Sequence, residues 1–253
     1  MYVEKQGEGR RTFVGIHGWA GNHRTFRRLM PFLPDDACFY SLDLPGYGSS
    51  PPPREWTFLA VCDQLELFLK ELHEKPLTLV GNCGGALFAV ELAKRLSADV
   101  GRIVLIDPFA FAPLYFRVFT WGTFGRYAYF STFANPIGRW FTNSALYRRR
   151  SAQANLTSAF TTVNHETAHR YICLMCSIRS ARIFGNVSVP ADIVYGERTF
   201  KAVRASLPIW RETLPSARFH ELKGAGHEPL REATKALSQV IFEYDNDAIA
   251  LKE

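Results

Sequence analysis

The sequence predicts an α/β domain, a mostly parallel sheet with helices on both faces, interrupted by a helical cap insertion. Three observations predict it. Short apolar runs alternate with longer stretches of helical spacing along the chain, the pattern of strands joined by crossover helices. The 253 residues, 47% hydrophobic and 21% charged, can bury a sizeable core and are too apolar for a disordered chain. The charge is also unevenly placed. Of a net +6, residues 108–187 carry +8, from nine arginines against the single acid Glu166, and the remainder carries −2. That stretch also holds 17 of the 35 aromatic residues. The shift in composition divides the chain into a core at 1–107 and 188–253 and a basic, aromatic cap at 108–187.

Taken in order, a strand is expected around Tyr2–Gln6 and a second at Thr12–Gly18. Asn22–Leu33 has helical spacing at Phe26, Leu29, Met30 and Leu33, with Asn22 as N-cap. Cys38–Leu44 is the next strand, closed by the turn-forming Pro45-Gly46-Tyr47-Gly48-Ser49-Ser50. Thr57–His73 is amphipathic, with Leu65, Phe68, Leu69 and Leu72 on one helical face. A buried strand at Leu77–Asn82, a helix at Gly84–Leu96 and a strand at Arg102–Asp107 lead to the cap. Beyond it, strands at Ala191–Tyr195 and Ala217–Leu222 alternate with helices at Lys201–Leu214 and Glu232–Phe242, and 246–253 forms a loosely held tail.

No run of eighteen apolar residues predicts a membrane span, and MYVEKQGEGRR lacks the apolar segment of a secretory signal. Five cysteines, an odd number, suit a reducing cytoplasm better than a disulfide framework. The expected location is therefore cytoplasmic. Nucleic acid is not an expected partner, because the body is acidic and carries no binding motif.

The most informative segment is Gly81-Asn82-Cys83-Gly84-Gly85, a G-x-C-x-G turn between a buried strand and a helix. Such a turn is a nucleophile elbow. The sharp reversal forces its central residue into strained φ/ψ, and the flanking glycines leave room for it. The thiol then lies at a helix N-terminus, where aligned peptide dipoles favour negative charge.

With this turn the chain resembles the α/β-hydrolase fold family along nearly all of its length. His17-Gly18-Trp19 resembles the family's oxyanion-hole turn, Asp43-Leu44-Pro45-Gly46-Tyr47-Gly48-Ser49 its D-x-P-G-x-G-x-S loop, and Gly224-Ala225-Gly226-His227 its catalytic histidine loop. The resemblance implies that Cys83 is the nucleophile and His227 its base, with the backbone N–H groups of Trp19 and Gly84 holding an oxyanion. His17 is expected to stabilise its loop rather than to take part in chemistry.

Two features depart from the family pattern. Cysteine replaces the usual serine, so the turn resembles the G-x-C-x-G-G box of polyhydroxyalkanoate synthases and of thioester-using acyltransferases and thioesterases. The family's frequent aspartate is also missing. In Gly196-Glu197-Arg198-Thr199 a threonine stands in its place. Asp107, at the family's alternative position, is then the preferred acid and Glu197 the next, with a dyad lacking any acid as a further alternative.

The cap contains two further patterns. His165-Glu166-Thr167-Ala168-His169 spells the HExxH of zinc proteases, but no further acid or histidine in the cap could complete a site, so an exposed helix face is expected and no metal or cofactor is implied. Cys173 and Cys176 are expected to pack in a core, as are Cys38 and Cys62. The 14 aromatics of Phe109–Tyr147 either form the cap's own core or line an acyl tunnel. The one-signed arginines, Arg148, Arg149 and Arg150 above all, suit an anionic handle: coenzyme A phosphates, an acidic acyl carrier protein or an anionic membrane surface. The HGW and DLPGYG segments are similar to those of pimeloyl-carrier methyl esterases. The expected function is cleavage of an acyl ester or thioester through a Cys–His(–Asp) acyl-enzyme. The alternatives are acyl transfer by the same intermediate, or a non-catalytic protein that binds an acyl or aromatic ligand.

Overall fold

In the computed structural model, which describes residues 1–145, 157–185 and 187–243, seven strands form one sheet. They are β1 (Val3–Gln6), β2 (Arg11–Ile16), β3 (Ala37–Leu42), β4 (Leu77–Asn82), β5 (Val100–Ile106), β6 (Ala191–Gly196) and β7 (Arg218–Leu222). The order is β1-β3-β2-β4-β5-β6-β7; β1 runs antiparallel to β3 and every other neighbouring pair is parallel. Parallel strands need crossover connections, and helices supply them: α1 (Phe58–Glu71) and α2 (Gly85–Arg95) between the middle strands, α7 (Lys201–Thr213) between β6 and β7. The central strands are nearly continuous runs of buried apolar residues, as a sheet covered on both faces requires. Along them the side chains alternate. Leu79, Ile103, Leu105 and Ile193 join the core beneath α1, α2 and α7, whereas Val80, Val104, Ile106 and Val194 join the core beneath the closing helix α9 (Thr234–Phe242).

Two expected helices form with different limits or geometry. The Asn22–Leu33 segment is a 3₁₀ run, His23–Phe32, with Pro31 inside it; Asn22 caps it, its side chain accepting from the Arg24 N–H. The last helix begins at Thr234, because the short helix α8 (Pro229–Glu232) ends at Ala233 and the chain bends there. Between β5 and β6 lie the helices α3 (Leu114–Arg117), α4 (Gly122–Tyr129), α5 (Pro136–Ala145) and α6 (His165–Ser177), with a π-turn at Phe130–Ala134 joining α4 to α5.

At the end of the sheet away from the Cys83 turn, a buried ion network ties the later strands together. Arg102 of β5 bonds Asp192 of β6 at 2.7 Å, with the two side chains 5% and 0% exposed. Arg218 and His220 of β7 bond the same carboxylate at 2.8 and 2.7 Å, and Arg102 also donates to the Val240 and Ile241 carbonyls of α9. Burial works against the Asp192 charge, but the hydrogen bonds from His220, Arg218 and Arg102 prevail and hold it well below the usual carboxylate range. Removing one partner of such a network strands buried charge. Asp192→Ala should therefore cost about 3–5 kcal/mol of unfolding free energy by urea titration; a loss within the range of an exposed substitution would show the network to be dispensable.

Candidate active site

β4 and β5 are in register, Asn82 opposite Ile106, so the residues that follow each strand emerge side by side. Those residues are Cys83 and Asp107, and both stand at φ +49°. The Cys83 N–H donates to the Ile106 carbonyl at 2.8 Å, and the Asp107 N–H to the Val194 carbonyl of β6 at 2.7 Å. A side chain held at positive φ is costly for a residue with a Cβ and persists only where its surroundings enforce it. Two close approaches enforce it here. A Cβ on Gly81 would stand 2.6 Å from the Ala86 Cα, and one on Gly85 would stand 2.2 Å from the Ile16 carbonyl oxygen. The thiol is thus presented at the first turn of α2, above the carboxyl ends of the strands.

His227 reaches this point from the loop after β7. Its Nδ1 bonds Asp107 Oδ2, its ring packs against those of Phe200 and Phe109, with centroids 4.3 and 5.6 Å away, and it lines the same cavity as Cys83. Burial disfavours the charged imidazole. The Asp107 charge and hydrogen bond, reinforced by Cys83, outweigh that effect and raise the His227 pKa to about 10. A histidine in this setting carries its proton at neutral pH.

The structure separates the two candidate acids. Asp107 is fully buried and bonded to His227, whereas Glu197 faces solvent and accepts from the Gly224 N–H at 2.7 Å, bracing the histidine loop from outside. Asp107 is itself held by the Gly196 N–H at 3.1 Å and by the Thr199 hydroxyl, which donates to Oδ2. Thr199 is the residue that reading the sequence missed. It occupies the position expected for aspartate, and its hydroxyl supports the carboxylate that stands elsewhere. Its place in the Gly196–Thr199 motif was the available signal.

Gly18, Trp19, Cys83, Gly84 and His227 share one cavity of about 800 Å³. Among the described residues no acceptor takes the main-chain N–H of Trp19 or Gly84. His17 lies beneath them, fully buried. It accepts from the Leu44 N–H at 3.0 Å and bonds the Gly18 carbonyl at 2.8 Å, and burial lowers its pKa to about 4. It joins the Trp19 turn to the Asp43–Ser49 loop as a neutral ring. His23 and Asp43, 2.9 Å apart, hold the other side of that loop.

The aromatics of the insertion divide three ways. Phe109, Phe111, Phe116, Phe119, Phe133 and Phe160 line the cavity, and several also pack on Trp19, whose ring N–H donates to the Ala168 carbonyl of α6 at 2.8 Å. Tyr129 and Tyr171 are buried. A third group, unanticipated, faces solvent on α4 and α5. The HExxH residues are engaged in packing contacts. His165 meets the Tyr129 hydroxyl at 3.2 Å, His169 the Phe119 carbonyl at 2.9 Å, and Glu166 pairs with Arg126. Among the described residues no three metal-binding side chains converge. Cys38 and Cys62 are buried, but Cys176, half-buried, lines the cavity with Met175, its thiol pushed up to about 11 by burial. Arg148, Arg149 and Arg150 lie outside the described residues.

Comparison with known proteins bears on the fold. The family model described as alpha/beta hydrolase fold matches residues 11–234. A serine hydrolase-like protein of Danio rerio is 32% identical over 107 residues, 41% of this chain and 32% of its own length. A pimeloyl-[acyl-carrier protein] methyl ester esterase of Neisseria meningitidis is 34% identical over 95 residues, 38% of this chain and 35% of its own. These matches span well under half of each relative. Among solved structures, a lipase-esterase related protein from Clostridium acetobutylicum superposes with TM-score 0.76 at 16% identity, covering 95% of this chain and 97% of that one. The enol-lactonase from Burkholderia xenovorans gives 0.74 at 18%, covering 95% and 94%. At such identities the likeness concerns the fold.

The charge on His227 has a thermodynamic signature. Its pKa is about 10 in the folded chain against 6.5 for an ordinary histidine, so its stabilisation is complete below pH 6.5 and is lost as pH rises through 10. The urea-midpoint difference between this chain and His227→Gln should shrink steadily across that window. A difference independent of pH would rule out a charged imidazole.

Proposed function

The chain belongs to the alpha/beta hydrolase fold family, and from that premise we propose that it cleaves an acyl ester or thioester through an acyl-cysteine intermediate. The observation that carries the reading is the convergence of three groups: Cys83 at positive φ, His227 beside it, and Asp107 bonded to the far nitrogen of the ring. With its pKa raised to about 10, the imidazole is a strong enough base to take the proton of Cys83, leaving thiolate and imidazolium as the attacking pair.

The thiolate sulfur attacks the substrate carbonyl carbon, and the carbonyl electron pair moves onto oxygen. The unengaged N–H groups of Trp19 and Gly84 receive that oxyanion. As the tetrahedral centre collapses, the bond to the leaving oxygen or sulfur breaks, and His227 gives its proton to that atom. Water then enters, His227 takes one of its protons, and the hydroxide equivalent attacks the acyl carbon. The C–S bond breaks, the acid departs and the thiolate–imidazolium pair is restored. Asp107 holds the Nδ1 proton throughout, keeping the other ring nitrogen toward Cys83. The apolar lining of the cavity suits an acyl chain. The Neisseria relative's name supports a carrier-linked acyl ester as one substrate form.

A second reading rests on the sulfur itself. Exchange between thioesters is nearly isoenergetic, so an acceptor alcohol, amine or thiol could take the place of water, making the protein an acyltransferase.

Intact-mass measurement after mixing with p-nitrophenyl butyrate should show one butyryl adduct, absent in Cys83→Ala, and kcat/KM should fall about 10⁴-fold or more in that variant. If no adduct forms on the unmodified chain, the site is a ligand-binding relic. An adduct that survives in water but is discharged by added thiol or alcohol identifies the transferase. The acid is tested separately. Asp107→Asn should lower kcat/KM by roughly 10²-fold or more and Thr199→Val by about tenfold, with Thr199→Ser restoring activity and Glu197→Gln nearly neutral. Equal effects from Asp107→Asn and Glu197→Gln would remove Asp107 from the mechanism.

A further inference from the structure

Soluble domains rarely turn many large apolar side chains outward on consecutive helices. Here α4 and its preceding residue expose Trp121, Phe124 and Tyr127, spaced i, i+3, i+6, at 64, 63 and 65%. α5 exposes Ile137, Trp140 and Phe141, spaced i, i+3, i+4, at 66, 64 and 62%. Leu114 and Tyr115 of α3 add 80 and 53%. Each spacing puts the residues on one side of its helix, so these are helical faces and not scattered exposures.

Three features of the same segment bear on what covers these faces. The first is charge. Residues 108–187 carry +8, with Glu166 as the single acid, and Arg117 stands exposed beside the aromatic positions, while Arg126 there is paired with Glu166. A second copy of this chain would bring like charge against like, whereas an anionic surface is complementary. The second is residue type. Tryptophan and tyrosine rings flanked by arginine suit a water–lipid boundary, where an apolar ring sinks and the guanidinium stays with the headgroups. The third is continuity with the cavity. Tyr115 is both half-exposed and part of the cavity lining, and so is the exposed Ala145 at the end of α5, so the cavity wall runs out into this surface.

We propose that α3, α4 and α5 dock peripherally on an anionic lipid surface, with Trp121 and Trp140 entering the headgroup boundary and the arginines meeting lipid phosphates. No helix among the described residues is long and apolar enough to cross a membrane, so the contact lies in the plane of the interface. An acyl substrate dissolved in that surface would meet the cavity at its Tyr115 edge.

The test is flotation of the Cys83→Ala chain with phosphatidylcholine vesicles and with phosphatidylcholine–phosphatidylserine vesicles, so that catalysis plays no part. The chain should partition onto the phosphatidylserine vesicles and be released by salt. Brominated lipid should quench tryptophan fluorescence less in Trp121→Ser and in Trp140→Ser than in the parent. Trp140→Ser combined with Phe141→Ser should cut partitioning about tenfold or more, as should Arg117→Glu, while esterase activity of the Cys83-containing versions on a small soluble ester stays unchanged. Absence of vesicle binding overturns the proposal. So does tight binding of an acidic acyl carrier protein at this face with no lipid affinity, or a dimer that Trp140→Ser dissociates without any vesicle partitioning.

Discussion

The site depends on one constraint, the reversal of the chain at Cys83, where a strand must become a helix within a single residue. That reversal is possible only because Gly81 and Gly85 admit backbone where any Cβ would collide, and it leaves Cys83 at φ +49° with its sulfur on the outside of the turn. The parallel register of β4 and β5 then repeats the event one strand over, with Asp107 at the same φ. Two strained residues on neighbouring strands, rather than one, set the distance across which a histidine ring can bridge sulfur and carboxylate. Strain of this kind is stored cheaply in a sheet whose remaining residues are regular and buried.

Below the site, the ion network at Asp192 fixes β5, β6, β7 and α9 relative to one another. The same strands carry Asp107, Gly196 and the histidine loop at their other ends. The network therefore does at the bottom of the sheet what the Asp107–His227 bond does at the top. Its cost is desolvated charge, and its gain is a fixed relation among four elements that the apolar core alone would specify less sharply.

Much of this was legible in the chain. The strand positions follow from apolar runs and the elbow from glycine spacing, because such a turn admits few residue types, whereas the histidine loop and the Trp19 turn were legible through the family resemblance. What could not be read depends on which strands become neighbours. Which of Asp107 and Glu197 meets His227 is invisible until the strands pair and Asp107 lies between the Thr199 hydroxyl and the ring. Arg102, Asp192 and His220 are ordinary charged residues in a linear sequence and become a buried network only in the sheet. The aromatics of Phe109–Tyr147 were expected to pack in a core or line a tunnel, because apolar residues are read as buried by default, yet those on α4 and α5 include several that face solvent. Likewise Cys176 is apolar enough for a core yet lines the cavity, a matter of which way one helix is rolled.

Trp19 belongs to two layers at once. Its main chain lies beside Cys83 in the wall of the cavity, while its indole is anchored to the Ala168 carbonyl of α6 and wedged among Phe116, Phe133 and Phe160. The helix above the cavity and the amide beside the sulfur are thus joined by a single rigid side chain. Under the proposed function, a displacement of α6 to admit a longer or wider acyl group would carry that amide with it. Selection by size and alignment for reaction would then be a single mechanical coordinate, and a substrate that fits poorly beneath α6 would also be one whose oxygen is poorly met.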